Sequence, residues 1–411
     1  MAVASQAEGG SGCPAFALLP SATEGGTVWL VDYEIAGTPS YQGALMPEKL
    51  KDLFFTASFV AELGEALQRA CPDFDRGKFT RLVFDASWES RELKERMRHV
   101  TQCLHETLDK EYPEALKVLI AVAPSSGGFD AMVFPDYVEC YGLDHADLSL
   151  PALAFFTTLC SSEYAVRPFI EQDPQRAMEY LYAWAEDENE HVRRLASEGC
   201  RPRLPWGMAL PQFKKDPSPI LPVLERLKDD PSEYVRKSVA NNLNEISKDH
   251  PQLVLDICER WHGHSANTDW IVKHACRTML KAGNRRAMHL FGFSDTENAT
   301  VQRLTLDRHT LSVGEKLNFT FELNVDTNEA RHVRLEYAVQ YARPEGKVSR
   351  KVFQIKEETF DPGTHVISRK LSLADQSTRK HYPGHHQISI FVNGVEMASS
   401  GFELTLGGDA R

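Results

Sequence analysis

From Pro47 to about Arg286 the apolar residues recur at three- and four-residue steps. Leu50, Leu53 and Phe54, then Val60, Leu63 and Leu67, set the pattern. Such spacing puts apolar side chains on one face of each successive helix. Period-two alternation is almost absent here. Turn signals are frequent: Cys71-Pro72-Asp73, residues 124–128 (PSSGG), Asp173-Pro174, Asp216-Pro217, Asp230-Pro231 and His250-Pro251. Near residue 296 the period changes to two. Leu304 and Leu306, every second position from Leu317 to Val325 and from Val333 to Val339, Val352, Phe353 and Ile355, Ile388 and Ile390, and Phe402, Leu404 and Leu406 follow it. Turn residues at Val313-Gly314-Glu315, Asp361-Pro362-Gly363 and Asn393-Gly394 separate them. About seven short strands in about 110 residues predict a small immunoglobulin-like sandwich.

The helical part carries a weak internal repeat. Residues 190–198 (EHVRRLASE), 233–241 (EYVRKSVAN) and 269–277 (DWIVKHACR) align. Each follows an acidic turn and a second helix. Two-helix units of about 40 residues predict a HEAT-like α-solenoid, whose equivalent helices line a concave face. The expected order is a low-complexity extension over 1–45, helical repeats over 46–292 and the sandwich over 296–408. The extension is rich in Gly, Ser, Ala and Thr, with one apolar island at 28–31 (VWLV), and is read as mostly disordered.

Composition narrows the function classes. The 411 residues include 46 Lys+Arg against 58 Asp+Glu, a net charge of −12. A chain that grips nucleic acid everywhere is excluded, so any DNA site must be a local basic face. With 42% apolar and 9% aromatic residues, disorder as the main state is excluded too. The eight cysteines form no C-x-x-C pair, none lies at finger spacing to a His, and none falls in the sandwich. Reduced thiols in a cytoplasm are expected, with no zinc site and no antibody-type disulfide. No run of 18 apolar residues occurs, and the N-terminus has no basic stretch before an apolar one, so neither a membrane span nor a secretory signal is expected, and no membrane partner.

Three stretches mix acids, bases and small residues where a repeat helix usually shows plain amphipathicity. They are 162–169 (SEYAVRPF), 193–207 (RRLASEGCRPRLPWG) and 238–250 (SVANNLNEISKDH). Arg193, Arg194, Arg201, Arg203, Lys214, Lys215, Arg236, Lys237 and Lys248 concentrate cations along consecutive repeats. Two readings stand: a phosphate-binding groove, or cations paired with acids on solvated faces. Within this ground lie Glu163, Glu198 and Glu245, read either as structural ion-pair partners or as a functional set. Trp206 ends a Pro/Arg-rich loop and either stacks on a base or sugar or caps a core. In the sandwich, 377–386 (STRKHYPGHH) is basic and aromatic, which makes Arg379 and Lys380 candidate DNA contacts or plain surface. His191, His250 and His274 are read as structural.

These motifs resemble the AlkC branch of the AlkC/AlkD-like HEAT-repeat alkylpurine DNA glycosylases, over about 49–292. Some members carry a C-terminal immunoglobulin-like domain that helps hold DNA, and 296–406 looks like it. The resemblance implies a monofunctional DNA glycosylase of base-excision repair. It would hydrolyse the N-glycosidic bond of cationic N-alkylated bases, 3-methyladenine and 3-methylcytosine, in duplex DNA without metal or cofactor. By motif, Glu163, Glu198 and Glu245 fall where the family places its active-site acids. Glu245 stands where Asp is more frequent, which keeps the charge and adds a methylene. Trp206 falls where the family places its lesion-side aromatic. Arg167, Arg193, Arg194, Arg201, Arg203, Asn241, Asn242 and Lys248 are the accompanying DNA- and lesion-binding candidates. A monomer in the bacterial cytosol, nucleoid-associated when on DNA, is expected. Fold alone also admits a non-catalytic repeat scaffold that binds DNA or protein, and a sensor of damaged DNA that does not cut it.

Overall fold

The computed structural model describes residues 50–293, 296–375 and 380–406. The extension expected over 1–45 and the candidate Arg379 lie outside them. Among the described residues seventeen α-helices are followed by eight strands. The chain divides into two compact units. One takes the described residues up to Asp249, with Gly263–Ile271. The other takes His250–His262 and the described residues from Val272 onward.

In the first unit the turn signals are helix starts with a physical cause. Thr56 caps Ala57–Ala70 by accepting from Phe59 N. Asp173 caps Pro174–Trp184 through Arg176 N, with Pro174 in the first turn. Asn189 caps Glu190–Gly199 through His191 N. Each side chain satisfies an amide that the first turn leaves unpaired. Of the apolar positions read from the spacing, Val60, Leu63 and Leu67 are buried, whereas Leu53, in the short first helix, is 46% exposed.

The repeat seen in sequence has a structural device behind it. Arg193 donates from Nη1 to the carbonyls of Asp187 (2.9 Å) and Glu188 (2.8 Å). Arg236 does the same one repeat later, to Asp230 and Pro231, both at 2.8 Å. Each arginine ties its own helix to the turn before it. The helices Glu190–Gly199 and Glu233–Ile246 meet through small polar groups. Ser197 Oγ lies 2.5 Å from Ser238 Oγ, and Asn242 Nδ2 donates to Ser197 O at 2.7 Å.

The second unit contains the sandwich. Its strands are β1 (Ala299–Leu306), β2 (Thr310–Ser312), β3 (Lys316–Val325), β4 (Arg331–Ala342), β5 (Val348–Phe360), β6 (Gly363–Ser372), β7 (Gly384–Val392) and β8 (Val395–Thr405). One sheet runs β1-β3-β6, the other β2-β8-β7-β4-β5, and only the β2–β8 pair is parallel. Between the sheets lie Leu317, Phe319, Phe321, Leu335, Val339, Ile388, Ile390 and Phe402. The inward positions are those predicted by period two. The Asn393-Gly394 turn joins β7 to β8 with positive φ at both residues, 46° and 79°, as a tight hairpin requires.

The last helical residues belong to the same body. A Cβ on Gly394 would stand 2.6 Å from Gly283 Cα, so two backbones touch there. Lys273 Nζ bonds Glu357 Oε1 at 2.5 Å. Glu357 continues to Arg334 Nη1 at 2.9 Å, and Arg334 Nη2 bonds Glu336 at 2.6 Å. Phe293 stacks on His332 with centroids 5.1 Å apart.

Candidate active site

The three acids come from three separate segments of the first unit. Glu163 stands on the turn before the helix Arg167–Gln172, Glu198 near the end of Glu190–Gly199, and Glu245 near the end of Glu233–Ile246. Two buried arginines bring them together. Arg194 Nη2 pairs with Glu163 Oε2 and lies 3.7 Å from Glu198 Oε1. Arg201 Nη1 pairs with Glu198 Oε1, and its Nη2 lies 3.8 Å from Glu245 Oε1. Lys248 Nζ closes the row on Glu245 at 2.8 Å. Charge therefore alternates along one line: Glu163, Arg194, Glu198, Arg201, Glu245, Lys248.

Fixed dipoles hold the line in place. Ser238 Oγ donates to Glu198 Oε2 at 2.7 Å. Ser161 Oγ accepts from Arg194 at 2.9 Å and donates to Glu163 at 3.2 Å. The Arg194 guanidinium lies 5.2 Å from the centroid of the Tyr234 ring. The Glu198 side chain is 7% exposed, against 14% for Glu163 and 11% for Glu245. The acids thus lie at the edge of the protein interior. Both Glu198 oxygens are engaged, whereas the buried Glu245 Oε2 receives no hydrogen bond. Among the described residues, no three His, Cys, Asp or Glu side chains converge as a metal would need.

Burial alone would raise the Glu198 carboxyl, but Arg201, Arg194 and Ser238 together outweigh it and hold it below its ordinary value of 4.5. A carboxylate depressed in the folded state stabilises the fold above its unfolded value, and that contribution is lost as pH falls through the folded one. Acid melting should therefore show wild type losing stability below about pH 4.5. Glu198→Gln should show a flatter acid limb. Identical limbs in the two proteins would contradict the assignment of this pair of charges.

Trp206 lies beside this cluster in sequence and is 51% exposed. Its φ of 63° is left-handed, a costly setting for a bulky residue that persists only where surroundings enforce it. Arg167, fully buried, holds the loop on either side of Trp206. Its Nε donates to Met208 O (2.6 Å), Nη1 to Gly199 O (2.8 Å) and Nη2 to Arg201 O (2.9 Å). Burial pushes this guanidinium down to about 10, so it is charged at neutral pH.

The binding candidates divide accordingly. Arg167 is corrected from a DNA contact to a clamp on the 199–208 loop. Arg193 is also corrected, because Asp230 takes its Nε (2.7 Å) and Nη2 (3.1 Å) while two turn carbonyls take Nη1. Arg194 and Arg201 are 6% and 3% exposed, so they hold acids, not phosphates. Asn241 and Asn242 are buried, Asn242 bonding Ser197. Arg203 is partly exposed but pairs with Asp249 through both nitrogens, at 2.6 and 2.8 Å. Lys237 pairs with Glu233. Of the two readings of these cations, pairing within the protein is the one seen here: Arg193, Arg194, Arg201, Arg203 and Lys237 meet acids and Arg167 meets carbonyls. Lys248 keeps an accessible face at 41% exposure, and Lys380 in the second unit is exposed.

Sequence reasoning missed Ser161, Ser238, Tyr234 and Lys94. The first two are small hydroxyls that carry no pattern. Lys94 donates to Trp206 O at 2.8 Å from 112 positions away.

The two parts of the chain, the helices that gather three carboxylates and the immunoglobulin-like sandwich after them, each match a family model, and the first places the chain in the DNA alkylation repair class. Residues 157–305 match the family model described as "DNA alkylation repair enzyme". Residues 300–406 match "Uncharacterised protein YhaZ, C-terminal Ig-like domain". The uncharacterized protein YhaZ of Bacillus subtilis (strain 168) is 44% identical over 356 residues, covering 86% of this chain and 99% of the relative. The structure of Pseudomonas fluorescens alkylpurine DNA glycosylase AlkC, bound to DNA containing an abasic site analog, superposes with a TM-score of 0.83 at 38% identity. That match covers 87% of this chain and 100% of the neighbour. The chain belongs to the AlkC branch of the DNA alkylation repair family, together with YhaZ.

Proposed function

We propose that this protein is a monofunctional DNA glycosylase that releases cationic N-alkylated bases, 3-methyladenine and 3-methylcytosine, from duplex DNA. The observation that carries the reading is the row of three carboxylates held by Arg194 and Arg201 at the edge of the fold. The solved AlkC neighbour bound to abasic DNA supports it.

A base methylated in this way carries a positive charge and departs neutral, so no acid is needed to protonate it. The barrier that remains is the positive charge that develops on the deoxyribose as the bond breaks. Carboxylates fixed before the reaction stabilise that charge without reorganising. Glu198, saturated with donors, acts by fixed charge. Glu163, the most exposed acid of the row, faces the sugar with it. Glu245 has an oxygen, Oε2, that receives no hydrogen bond, and we assign it the proton of the attacking water. Water attacks C1′, the glycosidic electron pair leaves with the base, and an abasic sugar remains.

The complete pairing of Glu198 favours one rival, a damage sensor that binds without cutting. The two separate in one assay. Duplex DNA treated with a methylating agent is incubated with the protein, and released bases are identified by chromatography. Free 3-methyladenine or 3-methylcytosine, with strands intact until alkali is added, is the expected result. Binding without any released base overturns the proposal in favour of the sensor.

A further inference from the structure

The backbone of Trp206 is held by a residue outside every motif discussed above. Lys94 comes from the helix Leu93–Leu108. Its Nζ donates to Trp206 O at 2.8 Å and lies 4.7 Å from the centroid of the Tyr164 ring. Tyr164 follows Glu163 directly in the chain, and burial together with the Glu163 charge pushes its phenol up. Gly207 fits into the same packing: a Cβ there would stand 3.1 Å from Leu204 Cδ2 and 3.2 Å from Tyr164 Cδ1. One ammonium thus touches both the carbonyl of the left-handed tryptophan and the ring of the residue after the outermost acid.

We propose that Lys94 is a positioning residue that sets the pose of the Trp206 indole. The inference deepens the glycosylase reading and rests on it for its rate measurement. Three observations favour positioning over phosphate binding. The ammonium is already committed to a carbonyl and a ring face. The carbonyl it holds belongs to a residue whose φ is unfavourable without support. The tryptophan so held is among the largest exposed apolar side chains of the described residues, at 51%, which suits it to stack on an unpaired base or sugar.

The test is a double-mutant cycle in the full chain with Lys94→Met, Trp206→Ala and the pair, read as single-turnover base release from methylated duplex DNA. Lys94→Met should slow release about tenfold, the scale of one charge-assisted hydrogen bond. The pair should be no slower than Trp206→Ala alone. Lys94→Arg, which keeps a cationic donor, should recover most of the rate. A pair slowed by the product of the two single effects would make Lys94 an independent phosphate contact and overturn the proposal. A second readout needs no catalysis. The emission of Trp206, isolated as the difference from Trp206→Phe, should change its wavelength and acrylamide quenching when Lys94 is replaced by methionine. An unchanged difference spectrum also overturns the positioning role. If wild type releases no base, the glycosylase reading falls and the emission comparison alone decides on Lys94.

Discussion

Glu198→Gln is expected to lower single-turnover base release by about 10²–10³-fold, the cost of deleting one preorganised group of this kind. Affinity for methylated duplex should persist, because Glu198 is buried and offers nothing to phosphates. Glutamine keeps the shape and can still accept from Ser238, so the variant removes charge more than volume. It also leaves Arg194 with Glu163 and Arg201 with Glu245 as their acidic partners. Breaking a buried pair from one side costs about 3 kcal/mol, so a thermal melt must accompany the kinetics. A variant that melts somewhat earlier but is still folded, binds DNA and releases no base fits the proposal. Release at the wild-type rate by that folded variant would remove Glu198 from the chemistry.

A large loss of stability should come from Arg167→Met. Methionine fills much of the same volume but donates nothing. The buried carbonyls of Gly199 and Arg201 and the partly buried one of Met208 then lose their partner together. Each unsatisfied acceptor costs about 1–3 kcal/mol, partly offset because a buried charge is removed as well. A net loss of about 3 kcal/mol in urea unfolding is expected. Arg167→Lys should recover only part of it, since one ammonium cannot replace a planar fork that reaches three oxygens. A loss below about 1 kcal/mol would show that the loop has other support. Release of methylated bases should fall too, because the same clamp carries the backbone on both sides of Trp206.

The sequence made the acids legible and the arginines illegible, for one physical reason. Glu163, Glu198 and Glu245 lie in the stretches whose local sequence carries the family resemblance, so they can be singled out without knowing their neighbours. What an arginine does in such a stretch depends on those neighbours. Arg167, Arg193 and Arg194 read alike as cations, yet one meets three carbonyls, one a turn and an aspartate, and one two glutamates. Which partner wins is decided by packing between segments, which spacing does not encode. The sandwich divides in the same way. The core strands β3, β4 and β7 announce themselves by alternation. The strand β6 does not, because it lies at a sheet edge, where Thr364, His365, Ser368, Arg369 and Lys370 break the pattern and Val366 points outward, 68% exposed. Lys94 was invisible for want of any local motif.

The glycine-to-glycine contact between Gly283 and Gly394 limits how such a chain can be recombined. A hairpin tip pressed against a helical turn with no room for a methyl group makes the sandwich a poor candidate for transplantation by itself. Any chimera that borrows it from a relative must bring residues 272–293 along, or else leave Phe293 without its histidine and Lys273 without its glutamate.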